Sequence, residues 1–204
     1  MATNDFDKIC GIPNFGFGTF PLRGDEAFNA VRTAIDLGIR HIDTAQMYGN
    51  ENDVGRAIKQ SGVARGAFFL VTKVDPSNIG QARFSESVAK SIDELGGPVD
   101  LLLIHWPPED REFEPALDRL MLEKQKGNAF EIGVSNFSVR MLRKAHARTN
   151  GAVINNQVEF HPLLDQHELL AAARELGVAL SAYCPLARGA ALKVRSNPSI
   201  ERTS

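Results

Sequence analysis

Asp43, Tyr48, Lys73 and His105 carry the chemistry most legible in this sequence. Asp43 closes the short run His41-Ile42-Asp43, Tyr48 follows five residues later, and Lys73 ends the apolar run that starts at Phe68. His105 ends another apolar run, Val99 to Ile104. A carboxylate at the mouth of a buried strand is costly unless a partner offsets it, and Lys73 is the cation of the right kind. A phenol ordinarily loses its proton near pH 10, and a neighbouring ammonium favours the phenolate. Lys73 is therefore expected to lower the pKa of Tyr48 while Asp43 keeps Lys73 in place and charged. Tyr48 then serves as a general acid towards a carbonyl oxygen, and His105 orients the same oxygen by a hydrogen bond. Taken singly, these are a turn aspartate, a snorkelled lysine and a satisfied core histidine. Their recurrence at strand ends is what points to a site.

The elements that position them alternate strictly. Strands are expected at 13–20, 39–44, 68–74, 99–107, 129–136, 153–160 and 178–183. Helices are expected at 25–38, 51–60, 81–95, 112–126, 139–148 and 163–176. Seven strands alternating with six helices imply a parallel sheet. The polar strand-end residues Asp43, Lys73, His105, Ser135, Gln157 and Tyr183 are 30, 32, 30, 22 and 26 positions apart, which is the pitch of βα units. Strand ends are where a (β/α)8 TIM barrel builds its active site. A doubly wound sheet is the rival, but no G-x-G-x-x-G turn follows a strand. One more unit of about 26 residues is expected after Tyr183. The tail at 190–204 shows no buried-strand run, so the expectation is an incomplete barrel over 1–189, lacking its eighth unit, with an atypical tail at 190–204.

Composition narrows the function classes. Of 204 residues, 43% are hydrophobic and 24% charged, and the formal net charge is −2. No block of like charge suggests nucleic acid or a membrane surface, and no apolar run reaches spanning length. Cys10 and Cys184 form no metal-spaced pair, so neither a metal site nor a disulfide is expected. The first residues lack the basic and apolar regions of a signal peptide, so a cytoplasmic location is expected. His41, His146, His161 and His167 are assigned structural roles.

The four residues resemble the catalytic tetrad of the aldo-keto reductases, and the flanking segments agree. His41-Ile-Asp-Thr-Ala with Tyr48-Gly-Asn-Glu51, Leu103-Ile-His-Trp-Pro107 and Ile132-Gly-Val-Ser-Asn-Phe137 look like that family's signatures. So do Asn156-Gln-Val-Glu159 and Tyr183-Cys-Pro-Leu186. The resemblance runs from about Ile12 to Gly189 and is strongest to the bacterial branch that includes the diketogluconate reductases.

It implies a nicotinamide cofactor, NADPH with NADH as the variant, held without a dinucleotide fold. By the same resemblance Ser135, Asn136 and Gln157 contact the carboxamide, and Tyr183 stacks on the nicotinamide ring. Pro185 and Leu186 follow the pyrophosphate, Thr19 flanks the ring, and Phe20 and Trp106 form apolar walls for the substrate. The implied reaction is reduction of an aldehyde, ketone or keto sugar by transfer of the 4-pro-R hydride. Cys184 stands where a serine is frequent, and Gly127-Asn-Ala-Phe130 lacks a basic residue usual after that glycine. The family's grip on the 2′-phosphate follows its eighth strand, and Lys193 and Arg195 lie in the wrong context to replace it. Two alternatives stand beside the enzyme: a silent truncated fragment, and a non-enzymatic regulatory subunit on the same scaffold. The sequence names no substrate beyond a small-molecule carbonyl and no oligomeric state.

Overall fold

A computed structural model describes residues 8–194. The N-terminal residues 1–7, where no signal peptide is expected, and most of the tail expectation, at 195–204, lie outside the described residues. The described part opens with a small antiparallel hairpin, β1 (Lys8–Ile9) and β2 (Ile12–Pro13). Then come β3 (Phe17–Gly18), α1 (Gly24–Asp36), β4 (His41–Asp43), α2 (Glu51–Gln60), β5 (Phe69–Val74) and α3 (Gln81–Leu95). The series continues with β6 (Val99–Ile104), α4 (Asp110–Gln125), β7 (Ala129–Ser135), α5 (Val139–Arg148), β8 (Val153–Glu159), α6 (His167–Leu176) and β9 (Ala179–Tyr183). A short helix, α7 (Ala190–Val194), ends the described part.

Strands β3 to β9 form one seven-stranded sheet in chain order, and every pairing is parallel. The result is an incomplete (β/α)8 barrel in which β3 and β9 are the two ends of the sheet. Its outer core lies between sheet and helices and includes Ile42, Leu70, Leu102, Ile104 and Val134, packed on Val54, Phe84, Val88 and Leu117. A second, smaller cluster fills the lower lumen: Val71, Leu101, Leu103 and Ala179, with Ile12 of the hairpin inserted among them. Side chains alternate between these two layers along each strand, as the pleat requires. Above the lumen cluster, the same inward positions become polar.

Two glycines allow close approach. A Cβ on Gly133 in β7 would lie 2.7 Å from Asn155 O and from Leu103 Cδ2, so the lumen admits no side chain there. A Cβ on Gly55 would lie 2.0 Å from Glu94 O, so α2 and α3 touch backbone to backbone only because residue 55 is bare.

Three expected elements differ. The strand expected at 13–20 is broken: Pro13 belongs to the hairpin, and only Phe17–Gly18 pairs with β4. Gly16 gives way to the His41 ring, which a Cβ would meet at 2.8 Å. The helix expected from Leu163 starts at His167, since Leu163 and Leu164 occupy an exposed turn held by Leu164 N donating to His161 O. The apolar face expected of α3 holds for Phe84, Val88 and Leu95, but the fully buried neighbour is Ser91 rather than Ile92.

Candidate active site

Strand β4 delivers Asp43 to the upper lumen, and the chain then turns through a single 3-10 turn, Gln46–Tyr48, closed by Gly49 at φ +65°. That turn aims Tyr48 back over the end of β5. Lys73 is wholly buried, and all three of its protons have acceptors. They go to Asp43 Oδ1 at 2.5 Å, Thr44 O at 2.8 Å and Tyr48 Oη at 3.4 Å. The other carboxylate oxygen of Asp43 accepts from Gln157 Nε2 at 2.7 Å, a bond that crosses the lumen from β8. Asp43, Tyr48 and Lys73 are thus brought together, and His105 joins them with its ring edge-on to Tyr48 at 5.6 Å between centroids.

The electrostatics correct one expectation. Burial raises the pKa of Tyr48 above the ordinary phenol value, and the lowering by Lys73 is the smaller effect. Desolvation disfavours the phenolate more than one ammonium, already shared with Asp43 and Thr44, can offset. Tyr48 therefore carries its proton at neutral pH. His105 moves the other way: desolvation first, then Lys73, press its pKa down to about 4, so the ring is neutral at physiological pH. Its Nδ1 is buried without a hydrogen-bond partner among the described residues.

The rim is apolar. Phe20 is 67% exposed and tilted against Tyr48 at 5.2 Å, while Trp106 is 45% exposed and stacked on His105 at 6.3 Å. Met47, between Gln46 and Tyr48, is also exposed beside them in sequence.

Ser135, Asn136, Gln157 and Tyr183 also converge, as one chain of hydrogen bonds. Tyr183 Oη donates to Asn136 Oδ1 at 2.9 Å, and Asn136 Nδ2 donates to His105 O and to Ser135 Oγ, each at 3.1 Å. Ser135 Oγ donates to Gln157 O at 2.8 Å. Thr19 is buried beside Asp43, to whose carbonyl oxygen its N–H donates at 3.0 Å, and its Oγ1 has no partner among the described residues. Pro185 and Leu186 are exposed just past β9. Cys184 is a free, half-buried cysteine at φ +49°.

Sequence reasoning missed two features. Gln157 was assigned outward to a ligand, whereas one of its N–H groups is committed to Asp43, 114 positions away. Nor was Gln46 singled out, although its amide joins the Tyr48 turn to α3. Ser87 and Ser91 lie four residues apart on one face of α3, and that spacing was the available signal.

The profile of the Aldo/keto reductase family matches residues 9–203. The chain belongs to the aldo/keto reductase family. It is 40% identical over 186 residues to methylglyoxal reductase DkgB of Escherichia coli O157:H7, covering 89% of this chain and 70% of that protein. It is 41% identical over 191 residues to an aldo-keto reductase of Mycobacterium tuberculosis, covering 93% and 67%. A solved structure assigned to 2,5-diketo-D-gluconic acid reductase B superposes with a TM-score of 0.87 at 41% identity, covering 92% of this chain and 66% of that one. A Bombyx mori aldo-keto reductase in complex with NADP gives 0.79 at 31%, covering 85% and 62%. The chain thus spans about two thirds of the length of such relatives. Family and relatives alike place it among the NAD(P)H-dependent oxidoreductases. Among the described residues no helix is long and apolar enough to cross a membrane.

Proposed function

We propose that this chain carries the site of an NADPH-dependent reductase for a small aldehyde, ketone or keto sugar, with Tyr48 as the general acid. The observation that carries this reading is the saturation of Lys73: its protons hold Asp43, Thr44 and the Tyr48 hydroxyl in one cluster. Bound NADPH supplies the hydride. Tyr48 keeps its proton until the carbonyl oxygen gains charge, and Lys73 then stabilises the phenolate left behind. Asp43 keeps the ammonium charged and aimed. His105, neutral, offers a hydrogen bond to the same oxygen without competing for the proton. Phe20 and Trp106 wall the substrate and exclude water.

The residues present fit the nicotinamide end of such a cofactor. Gln157 retains one N–H and its Oε1 after bonding Asp43, which suits a carboxamide, whereas Asn136, both of whose N–H groups are spent, offers the second lone pair of its Oδ1. Ser135, Asn136 and Gln157 are the proposed carboxamide contacts, with Tyr183 as the stacking ring. The orphan Thr19 Oγ1 is a further polar group awaiting a partner there. Pro185 and Leu186 are proposed to follow the phosphates. The names of the relatives, a methylglyoxal reductase and a diketogluconate reductase, favour oxidised carbonyl compounds as the substrate class.

The test is Tyr48→Phe, assayed for turnover of methylglyoxal and, by fluorescence titration, for NADPH binding. Phe keeps the ring and removes the acid, so turnover is expected to fall by about 10²–10⁴-fold while NADPH affinity is retained. A variant that keeps the parent turnover overturns the assignment. A parent chain that binds NADPH but turns nothing over favours the regulatory-subunit reading instead.

A further inference from the structure

Behind the catalytic wall, on the helix side of the sheet, the amide of Gln46 is saturated at both ends. Its Oε1 accepts from the backbone N–H of Asp75 at 2.9 Å and from Asn78 Nδ2 at 3.0 Å. Its Nε2 donates to Ser87 Oγ at 3.2 Å and Ser91 Oγ at 3.1 Å. Because a backbone N–H can only donate, the amide has one sensible orientation. Ser91, buried in α3, sets its hydroxyl 3.1 Å from Glu51 Oε2 and 3.1 Å from Ser87 O, two acceptors for its one proton. Glu51 Oε1 then accepts from Thr72 Oγ1 at 2.5 Å. Thr72 immediately precedes Lys73 on β5, and successive strand residues face opposite sides of the sheet. A continuous polar path therefore runs round the outside of the barrel wall, from the turn that carries Tyr48 to the strand that carries Lys73.

That path matters because it ties the turn to α3 and β5 from behind, between two buried anchors: Ala45 before the turn, and Asn50 after it, which accepts from Thr44 Oγ1 at 2.6 Å and donates to Leu22 O at 2.8 Å. Gln46, Gly49 and Glu51 line a polar cavity of about 190 Å³ with Asp75, Asn78 and Ser87. Met47 and Gly49 on the turn are exposed. Between those anchors the turn borders polar space on its α3 side, and the side-chain hydrogen bonds that span to α3 and to the loop after β5 are those of Gln46.

We propose that Gln46 is a positioning residue for the reaction: through Ser87, Ser91 and the Glu51–Thr72 link it holds the Tyr48 hydroxyl against the Lys73 ammonium. The inference rests on the reading of Tyr48 as the general acid. A misplacement of the order of 1 Å can cost about 100-fold in rate, and the 3.4 Å Lys73–Tyr48 contact is the loosest of the three that Lys73 makes.

The chain holds two tyrosines, Tyr48 and Tyr183, which makes the test direct. Ligand-free protein labelled with 3-fluorotyrosine gives two fluorine NMR signals, assigned by Tyr183→Phe. Buried Tyr48 is expected to ionise at higher pH than free 3-fluorotyrosine. Gln46→Met removes the donors and acceptor at nearly constant length. It is expected to move the Tyr48 midpoint further up, because the hydroxyl is no longer held against the ammonium that lowers it, leave Tyr183 in place, and cut kcat for methylglyoxal by up to about 100-fold with NADPH affinity kept. Ser91→Ala, which suits a helix interior, is expected to shift both readings in the same direction by less, and it decides the matter if Gln46→Met does not fold. An unmoved Tyr48 midpoint in the folded variants overturns the proposal, whether or not the parent chain reduces carbonyls. A moved midpoint with unchanged kcat overturns the role in the reaction. If the parent turns nothing over, the general-acid reading fails on its own and the midpoint alone decides the positioning.

Discussion

Lys73 and Glu123 are both fully buried, both ion-paired, and finished in opposite ways. Glu123 lies on α4, where Oε1 accepts from Ser85 Oγ at 2.6 Å and Lys126 Nζ at 2.9 Å, and Oε2 from Asn128 Nδ2 at 2.6 Å. Burial pushes its pKa up, but those bonds together bring it below the usual carboxylate value. Nothing in that cluster is left over. It clasps α3, α4 and the start of β7, and it explains why an asparagine follows Gly127. The Lys73 cluster is equally saturated at its centre, yet its margin is not: beside it His105 Nδ1 and Thr19 Oγ1 are buried and have no partner among the described residues. A buried polar atom without a partner is uncommon and asks for a reason. A closed polar cluster is a clasp; one whose rim is left open towards a mouth is a site.

The largest effect that could break this contrast is Lys73→Met. It leaves Asp43, whose side chain is 15% exposed, with Gln157 as its only side-chain donor among the described residues, and losing one partner of a buried pair costs about 3–5 kcal/mol. Urea unfolding is the measurement. A loss below about 1 kcal/mol would mean that water reaches Asp43 and that the cluster is not the dry pair described.

Acid sharpens the contrast next. His105 has a folded pKa of about 4 against 6.5 unfolded, so between those values the unfolded chain takes up a proton that the folded one refuses. Stability is therefore fully present above pH 6.5 and falls as the pH drops towards 4, by up to roughly 3 kcal/mol. Glu123, whose folded pKa is depressed, contributes in a lower window, losing its share only as the pH falls below the ordinary carboxylate value of 4.5. Urea midpoints at pH 7, 5 and 4 for the parent and His105→Gln separate the two. The variant should lose much of the slope between pH 6.5 and 4, and an unchanged slope would place His105 in contact with solvent.

Why part of this was legible follows from range. Asp43, Lys73 and His105 could be placed because each interrupts an apolar strand run, and period and burial are local properties of sequence. Ser135, Asn136, Gln157 and Tyr183 recur at the same pitch and do meet. The cross-lumen bond of Gln157 to Asp43 joins β8 to β4, and no local pattern reports which strands face each other. The direction of the Tyr48 shift was misjudged for a related reason: the charge beside it is visible in sequence, the desolvation around it is not. On α3, the apolar period hid Ser91, because a serine among Phe84, Val88 and Leu95 reads as an edge residue unless its partner Glu51 is known.

The smallest effect concerns the clasp. Glu123→Gln keeps the shape but loses the charge and turns a donor towards one of its present donors. A cost of about 1–2 kcal/mol in urea is expected, with kcat and the Tyr48 fluorine midpoint unchanged. Any movement of that midpoint would show that α4 reports to the active site and that the two clusters are not independent.

The bare Cα of Gly55 reaches further than its position suggests. It stands one helical turn beyond Glu51 on α2, at the spot where that helix rests on the Glu94 carbonyl of α3. A methyl there has no room, so the two helices would part, and the first bond to lengthen lies one turn away, between Ser91 and Glu51. Residue 55 thus acts as a gauge block between two helices, and the tolerance it sets is passed through Gln46 to a hydroxyl on the far side of the sheet. On the role proposed for Tyr48, proton donation is calibrated in part by the absence of a side chain.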